Sequence, residues 1–545
     1  MKDEPDLPLR WGPWGAICCA LPCLVLAMAV GAQWSARFAL DDSLMFVRYA
    51  DHVLAGEGLA WNQGEGSIYG PTSVVYVGVV ALIRVLVGAP SLAVQLSSVL
   101  CGILFLAVAA WLAFEQGERR GGVAVVVALT GLAVWSESLS AHFMTGMDTT
   151  LAMLFLAVYL LLARGTLTDW NTKQAVLTAA VGGAALVVRP ELCLFTVLIP
   201  LSVVVRGPVT LVAGWRKILL GTLGIFLIHS LVAWAFLGTP LPLSFYAKSI
   251  NGYGAGFASE YSHVALAEFA DFASGYWLLI LPIGIDFCLF GGRWREREMA
   301  VERGVLVATI LFLFYHLFMT LPIMPYKERF FHPVVPALVF LCSGSVSRLA
   351  GGLADASGAI RPRLPVVAAL LVAALVSPAA VASGKAFWKA LQSGEVGKFD
   401  LVRAYRTTSA SERWFALDRF SGLPDDLVVA ATEIGLLAAL NPGKRIIDMT
   451  GLNDRGFATK GFSPDRLFRV DKPDLIYMPH PHYSEMIRAL EEDGSLNVDY
   501  TVYEAGLIGT HFGVALRRSS RHDGRMHSIV RSAIQERVTD SGNEQ

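Results

Sequence analysis

Long apolar stretches separated by short polar ones dominate this chain, running roughly over 12–34, 72–88, 92–114, 122–140, 149–163, 174–189, 191–205, 217–237, 275–291, 303–322, 331–348 and 364–384. A helix needs about 20 apolar residues to cross a bilayer, and about 17 is a working minimum. Several stretches sit at that limit. Between the first two lies the most informative polar run, DDSLMFVRYADHVLAGEGLAWNQGEGSIYGPTS, residues 41–73. Its first part has helical period, with Leu44, Val47, Ala50 and Leu54 on one side and Asp41, Arg48 and His52 on another. The remainder, loaded with Gly, Asn and Pro, reads as a loop whose Trp61 and Tyr69 suit the headgroup layer.

Charge resolves what length leaves open, because cytoplasmic loops carry the excess Lys and Arg. With the N-terminus inside and 72–88 lying along the outer leaflet as a juxtamembrane helix, the basic stretches 118–120, 164–173, 206–217, 293–297 and 348–363 all become cytoplasmic. If 72–88 crosses, every one but the first turns outward. Arg84 within that segment also favours a surface helix. The expectation is about 11 transmembrane helices and a C-terminus outside. The same parity brings to the outer face Asp41, the run 142–148 (HFMTGMD), Arg189-Pro190-Glu191, 239–249 (TPLPLSFYAKS) and 325–333 (PYKERFFHP).

Residues 385–520 differ in composition: strands read at 427–431, 445–448, 475–478 and 513–516, and a helix at 433–440. That pattern predicts a small α/β domain resting on the membrane face. The fold class is thus a polytopic α-helical membrane protein with a membrane domain over 1–384, an extracytoplasmic α/β domain over 385–520 and a charged, peripheral tail over 521–545. The apolar run 12–34 has no small-residue cleavage site after it and reads as a retained span.

Composition agrees: 54% of the 545 residues are hydrophobic and 16% charged, with a net charge of -1. No basic domain or basic stripe with interleaved aromatics is present, so nucleic acid is not an expected partner. The seven cysteines all fall in apolar segments without CxxC spacing, which argues against a disulfide framework or a Cys-based metal site.

Two adjacent carboxylates at a membrane mouth, Asp41 and Asp42, repel each other and resist dehydration, so they call for nearby cations, donors or a task. Helix capping is the plainer account. Arg189-Pro190-Glu191 can be a turn with a local ion pair, Lys248 a snorkelling lysine, Arg329 and His332 headgroup anchors, and Asp148 an N-cap. Their convergence on one face tips the balance. A carboxylate beside clustered cations suits group transfer from a phosphate, the acid deprotonating an incoming hydroxyl while the cations steady the phosphate that leaves. Oxygen ligands of Asp41, Asp42 or Asp148 also suit Mg or Ca, although no spacing demands a divalent cation. A transporter would carry charges within its spans and paired half-chain repeats. A non-catalytic envelope scaffold would not need ionisable residues on so many outer segments. Trp414, Tyr477 and Tyr483 could stack on a sugar or could pack a core.

The ordered set Asp41-Asp42, Arg48-Tyr49-Ala50, Gly56-x-Gly58-Leu59, Asn62-x-Gly64-Glu65 and Gly70-x-Thr72-Ser73 resembles the first outer loop of the bacterial GT-C membrane glycosyltransferases related to the mycobacterial terminal β-1,2-arabinofuranosyltransferase. Thr145 to Asp148, Arg189-Pro190-Glu191, Gly238 to Ser249, Arg329-Phe330-Phe331 with Pro333, and Asp448 to Asp454 resemble further motifs of that family, over about 38–460. The resemblance implies a sugar donor linked to polyprenyl phosphate, an envelope glycan as acceptor, an active site on the outer face of a bacterial inner membrane, inversion at the anomeric carbon, and Asp41 as general base. Asp42 is the second catalytic candidate beside it, and the resemblance implies substrate-binding roles for Arg48, Tyr49, His52, Glu65, Tyr69, Asp148, Arg189, Glu191, Tyr246, Lys248, Arg329 and His332. His52, Tyr69, Ser244 and Asp148 depart from the family pattern, which bears on which sugar is carried, arabinofuranose being the one the resemblance offers.

Overall fold

The computed structural model describes residues 40–168, 171–248, 255–320, 326–356 and 414–543. The expected spans 12–34 and 364–384 lie outside the described residues. Helix α1 (Asp41–Leu54) is followed by the 13-residue α2 (Val74–Leu86), too short to cross a bilayer. Ser73 caps α2 through Oγ, which accepts from the Tyr76 amide at 3.2 Å, and Arg84 ties it to Asp51 of α1 at 2.8 Å.

Next comes α3 (Pro90–Trp135), a continuous helical run by hydrogen bonding that nonetheless doubles back on itself. A Cβ on Gly122 would lie 2.8 Å from Cα of Phe114, eight residues earlier, where a straight helix would put about 12 Å between them. The reversal falls where the sequence places Glu118-Arg119-Arg120, between the apolar stretches 92–114 and 122–140.

Helices α4 (Glu137–His142) and α5 (Thr149–Thr168) lead to the short α6 (Thr172–Gly183) and α7 (Ala185–Val188). An extended Arg189 then breaks the chain, because the following Pro190 disfavours helical geometry at the residue before it. The chain resumes in α8 (Cys193–Arg206), α9 (Val209–Leu237), α10 (Leu243–Ala247), α11 (Ala255–Gly275), α12 (Trp277–Phe290), α13 (Ala300–Phe318) and α14 (Val335–Ala356). Among the described residues five helices are long and apolar enough to cross a membrane, and a sixth if the pair Val264–Gly275 and Trp277–Phe290, bent by 82°, is one span. The protein is a multi-pass membrane protein. The difference from about 11 spans has physical sources: two lie outside the described residues, 122–140 is divided between the return arm of α3, which ends at Trp135, and α4, and 174–189 and 191–205 form short helices on either side of Arg189.

The soluble domain is a five-stranded sheet of order β2-β1-β3-β5-β4, built from β1 (Val428–Ala431), β2 (Arg445–Asp448), β3 (Leu475–Tyr477), β4 (Tyr500–Tyr503) and β5 (Val514–Arg517). β1 pairs parallel with β2 and β3, while β5 runs antiparallel to β3 and β4. Helices α15 (Leu417–Ser421), α16 (Gly435–Leu440) and α17 (Arg455–Lys460) lie between the strands or flank them.

Within the charged stretch 521–545, Asp523–Asn543 is helical and buries Met526 and Val530, four residues apart on one face. Two expectations are corrected here. Trp61 and Tyr69 are not headgroup anchors: both are buried, Trp61 Nε1 donating to the Ile446 carbonyl at 3.0 Å and Tyr69 Oη to that of Leu186 at 3.2 Å. Trp414 and Tyr477 pack edge-to-face within the domain core, out of reach of a sugar.

Candidate active site

The turn between α4 and α5 fixes the start of α1. The Leu40 amide donates to the Thr145 carbonyl at 3.1 Å, and Gly146, at φ +77°, leaves no room for a Cβ beside Val94 and Ser43. Asp148 is thereby held next to α1, with Thr72 Oγ1 3.5 Å from its carboxylate. On the other side, the break at Arg189 turns that guanidinium inward to Glu191 at 2.7 Å, with Asp148 at 4.0 Å. Tyr69 anchors α10 by accepting the Leu243 amide at 2.7 Å, and α10 delivers Lys248. Arg329 reaches Asp42 at 2.8 Å from the turn before α14.

These groups border a cavity of about 880 Å³. One end is polar, with Asp42, Asp148, Arg189, Glu191, Lys248 and Arg329. The other is apolar, with Leu194, Val197, Leu198, Phe226 and Met319 from α8, α9 and the end of α13. Tyr49 and, from the soluble domain, Asn453 also line it, joined by a hydrogen bond of 2.7 Å from Tyr49 Oη to Asn453 Oδ1. Asp448 orients that amide, accepting Asn453 Nδ2 at 3.1 Å and the Asn453 backbone N–H at 2.7 Å, and its own burial pushes its carboxyl up to about 6.

The Lys248 ammonium makes no hydrogen bond or ion pair among the described residues, and its Nζ lies 5.7 Å from the Phe330 ring centre. Burial, with the Arg329 and Arg189 charges adding to it, lowers its ammonium to about 8. Asp148 moves the other way: burial raises its carboxyl, and Arg189, engaged more closely by Glu191, offsets this only in part. The polar end therefore pairs an acid and an arginine, Asp42 with Arg329, beside a lysine whose charge is not matched by a carboxylate in contact.

Of the residues singled out from the sequence, the structure gathers Asp42, Tyr49, Asp148, Arg189, Glu191, Lys248 and Arg329 around this cavity. It places others elsewhere. Asp41 accepts the backbone N–H groups of Gly435 and Leu436 at 3.0 and 2.7 Å. Arg48 is buried against the carbonyls of Asn441 and Lys444. His52 Nδ1 meets the Ala60 carbonyl at 2.8 Å, and Glu65 pairs with Arg445 at the domain edge. Tyr69 Oη sits 3.0 Å from His229 Nε2, Tyr246 packs against the cluster of Leu243, Ala247 and Ala458, and His332 is buried against Ser138 and His142. Of the carboxylates considered for Mg or Ca, Asp41 is turned to backbone N–H groups and Asp42 to a guanidinium, while Asp148 lies 4.0 Å from Arg189. Among the described residues no three His, Cys, Asp or Glu side chains converge as a metal site.

His316, which lines the cavity with Nε2 4.0 Å from Glu191, was not among the residues singled out, and Phe330, named only as part of a motif, lies beneath Lys248. An imidazole inside an apolar segment was the available signal for the first. Asn453 lay in a motif already noted, with nothing local to aim it at a cavity.

Neither a protein-family model nor a curated protein matches the sequence. Solved structures do match in shape, and they show the fold, which is GT-C-like. In particular, ArnT from Cupriavidus metallidurans bound to undecaprenyl phosphate aligns with a TM-score of 0.52 at 15% identity, over 93% of this chain and 98% of that one. Its apo form aligns with a TM-score of 0.51 at 15% identity, over 92% and 97%.

Proposed function

We propose that this chain is an integral membrane glycosyltransferase that moves a sugar from a polyprenyl-phosphate donor to a hydroxyl of an envelope glycan, with inversion, on the outer face of a bacterial inner membrane. The observation that carries this reading is the single cavity in which Asp42, Lys248, Arg189 and Arg329 meet beside an apolar extension. An apolar extension suits a polyprenyl chain, and the cations suit its phosphate. The undecaprenyl phosphate bound by ArnT, whose fold this chain shares, is consistent with such a donor.

Asp42, rather than Asp41, takes the acceptor proton in this reading, because Asp42 faces the cavity while Asp41 is engaged by backbone N–H groups. As the acceptor oxygen attacks the anomeric carbon, its proton passes to the Asp42 carboxylate. The bond from that carbon to the phosphate oxygen breaks, and its electron pair leaves with polyprenyl phosphate. Lys248, Arg189 and Arg329 meet the charge that develops there, each contributing a few kcal/mol in a water-poor site (roughly 2–4). His316 and Asp148 shape the sugar pocket, and Tyr49 with Asn453 forms its soluble-domain side.

Arabinofuranose is the sugar we propose first, on the sequence motifs. The test is transfer of labelled sugar by the purified protein in lipid nanodiscs, offered polyprenyl-phosphate donors carrying arabinofuranose and several hexoses together with envelope glycans. Transfer from at least one donor is expected. Polyprenyl-phosphate donors that bind but are never turned over would favour a carrier instead. Orientation is tested separately: a cysteine at Glu57 should react with an impermeant thiol reagent in intact cells and one at Arg119 should not.

A further inference from the structure

We infer that Asp41 and Arg48 are positioning residues: together they clamp helix α16 of the soluble domain at both ends, and this clamp sets the rotation of α1 that aims Asp42 into the cavity. The inference rests on the preceding assignment of Asp42 as the proton acceptor.

The geometry follows from helical periodicity. Positions 41 and 48 are seven residues apart, about two turns, so both side chains leave α1 on nearly the same face, whereas residue 42 is rotated about 100° from residue 41. The shared face meets α16. Asp41 Oδ2 and Oδ1 accept the amides of Gly435 and Leu436 at the start of α16, at 3.0 and 2.7 Å. At its far end Arg48 Nη1 donates to the Asn441 carbonyl at 2.9 Å, while Nη2 donates to the Lys444 carbonyl at 2.8 Å and to Asn62 Oδ1 at 3.0 Å. Arg48 is 3% exposed, so these bonds are made without competition from water. Gly435 has to be glycine for the fit, since a Cβ there would overlap the Asp41 carbonyl oxygen.

The neighbouring contacts serve the same end. Asn62 Oδ1 also accepts the Ile446 amide at 2.8 Å, fixing β2 to the loop after α1. On the other side of the cavity α10, which ends at Lys248, packs Leu243 and Ala247 against Ala458 of α17. The soluble domain thus bears on the element carrying the acid and on the element carrying the phosphate-binding lysine, and it sets their separation. A hydroxyl aimed at Asp41 would have to displace two backbone donors first.

The test uses the full-length protein in nanodiscs with Asp41→Asn, Gly435→Ala and Arg48→Lys. Asp41→Asn keeps one oxygen acceptor and loses the other, and hydrogen exchange at the amides of 435–441 should speed up by about tenfold. Its kcat should fall by about tenfold, with the donor KM nearly unchanged, because Asp42 is intact. Gly435→Ala pries open the same contact with both acids present and should give the same pattern. Arg48→Lys keeps the charge without the planar fork and should give a weaker form of it. Abolition of turnover in Asp41→Asn, with Gly435→Ala and Arg48→Lys at the wild-type rate, would show that Asp41 acts in the chemistry and overturn the inference. Unchanged exchange at 435–441 in Asp41→Asn would overturn it without reference to activity. A fully active Asp42→Asn would instead sink the assignment of the base and leave the exchange result standing.

Discussion

Asp42 and Arg329 meet at 2.8 Å at the polar end of the cavity although 287 positions separate them in the chain. Arg329 is delivered there by a turn in which two consecutive non-glycine residues, Lys327 and Glu328, have φ of 50° and 52°. That left-handed backbone costs on the order of 1–3 kcal/mol per residue and persists only where its surroundings impose it. Ser138 Oγ donates to the Lys327 carbonyl at 2.8 Å, His142 Nε2 meets the same oxygen at 2.8 Å, and the Glu268 carboxylate accepts the Glu328 amide at 2.7 Å.

The strain at this turn yields the first prediction. Lys327→Gly should raise the melting temperature slightly by relieving the backbone, while lowering kcat/KM for the donor because Arg329 is held less firmly. Thermal unfolding and steady-state kinetics check the two halves. A stabilised variant with unaltered kcat/KM would uncouple the turn from Arg329.

Lys248 supplies a pH dependence. Its ammonium, lowered to about 8 chiefly by burial, is charged below that pH and neutral above it. Donor kcat/KM should therefore fall as pH rises through about 8, and Lys248→Arg, which stays charged, should shift that limb to higher pH. A pH–rate profile on both proteins reads this directly, and a limb at the same pH in both would assign it to another group.

Gly70 lies so close to Tyr49 that an added Cβ would overlap the Tyr49 hydroxyl and press on Asn453 Oδ1. Gly70→Ala should cost about 1–3 kcal/mol of stability through overpacking and break the bond from Tyr49 to Asn453. Denaturant unfolding and donor KM measure the two effects. A variant with wild-type values of both would mean that the wall at Gly70 yields without consequence.

Much of the candidate site could be read in the sequence because ionisable side chains next to apolar stretches are conspicuous: Asp42, Asp148, Arg189, Lys248 and Arg329 were all visible in that way. The division of labour between Asp41 and Asp42 was not. It depends on rotation about α1 and on a partner at Gly435, 394 positions away, and no local pattern encodes either. Arg48 was misleading for the same reason, since its acceptors are carbonyls of the soluble domain. Strand β4 was overlooked because only Tyr500 of its four residues is buried, and the helix Asp523–Asn543 because its apolar stripe is narrow within a charged stretch.

That terminal helix is open to test by truncation. Met526 is fully buried against the soluble domain, so Met526→Ala should cost about 2–5 kcal/mol. Removing the helix should leave the domain markedly more sensitive to protease. An unchanged digestion pattern after its removal would show that it contributes nothing to the domain.

The Asp42 carboxylate is tested most directly by transfer of labelled sugar from a polyprenyl-phosphate donor by wild type and by Asp42→Asn. Loss of the base should slow turnover by about 10²-fold or more while the variant still folds and binds donor. Equal rates in the two proteins would contradict it.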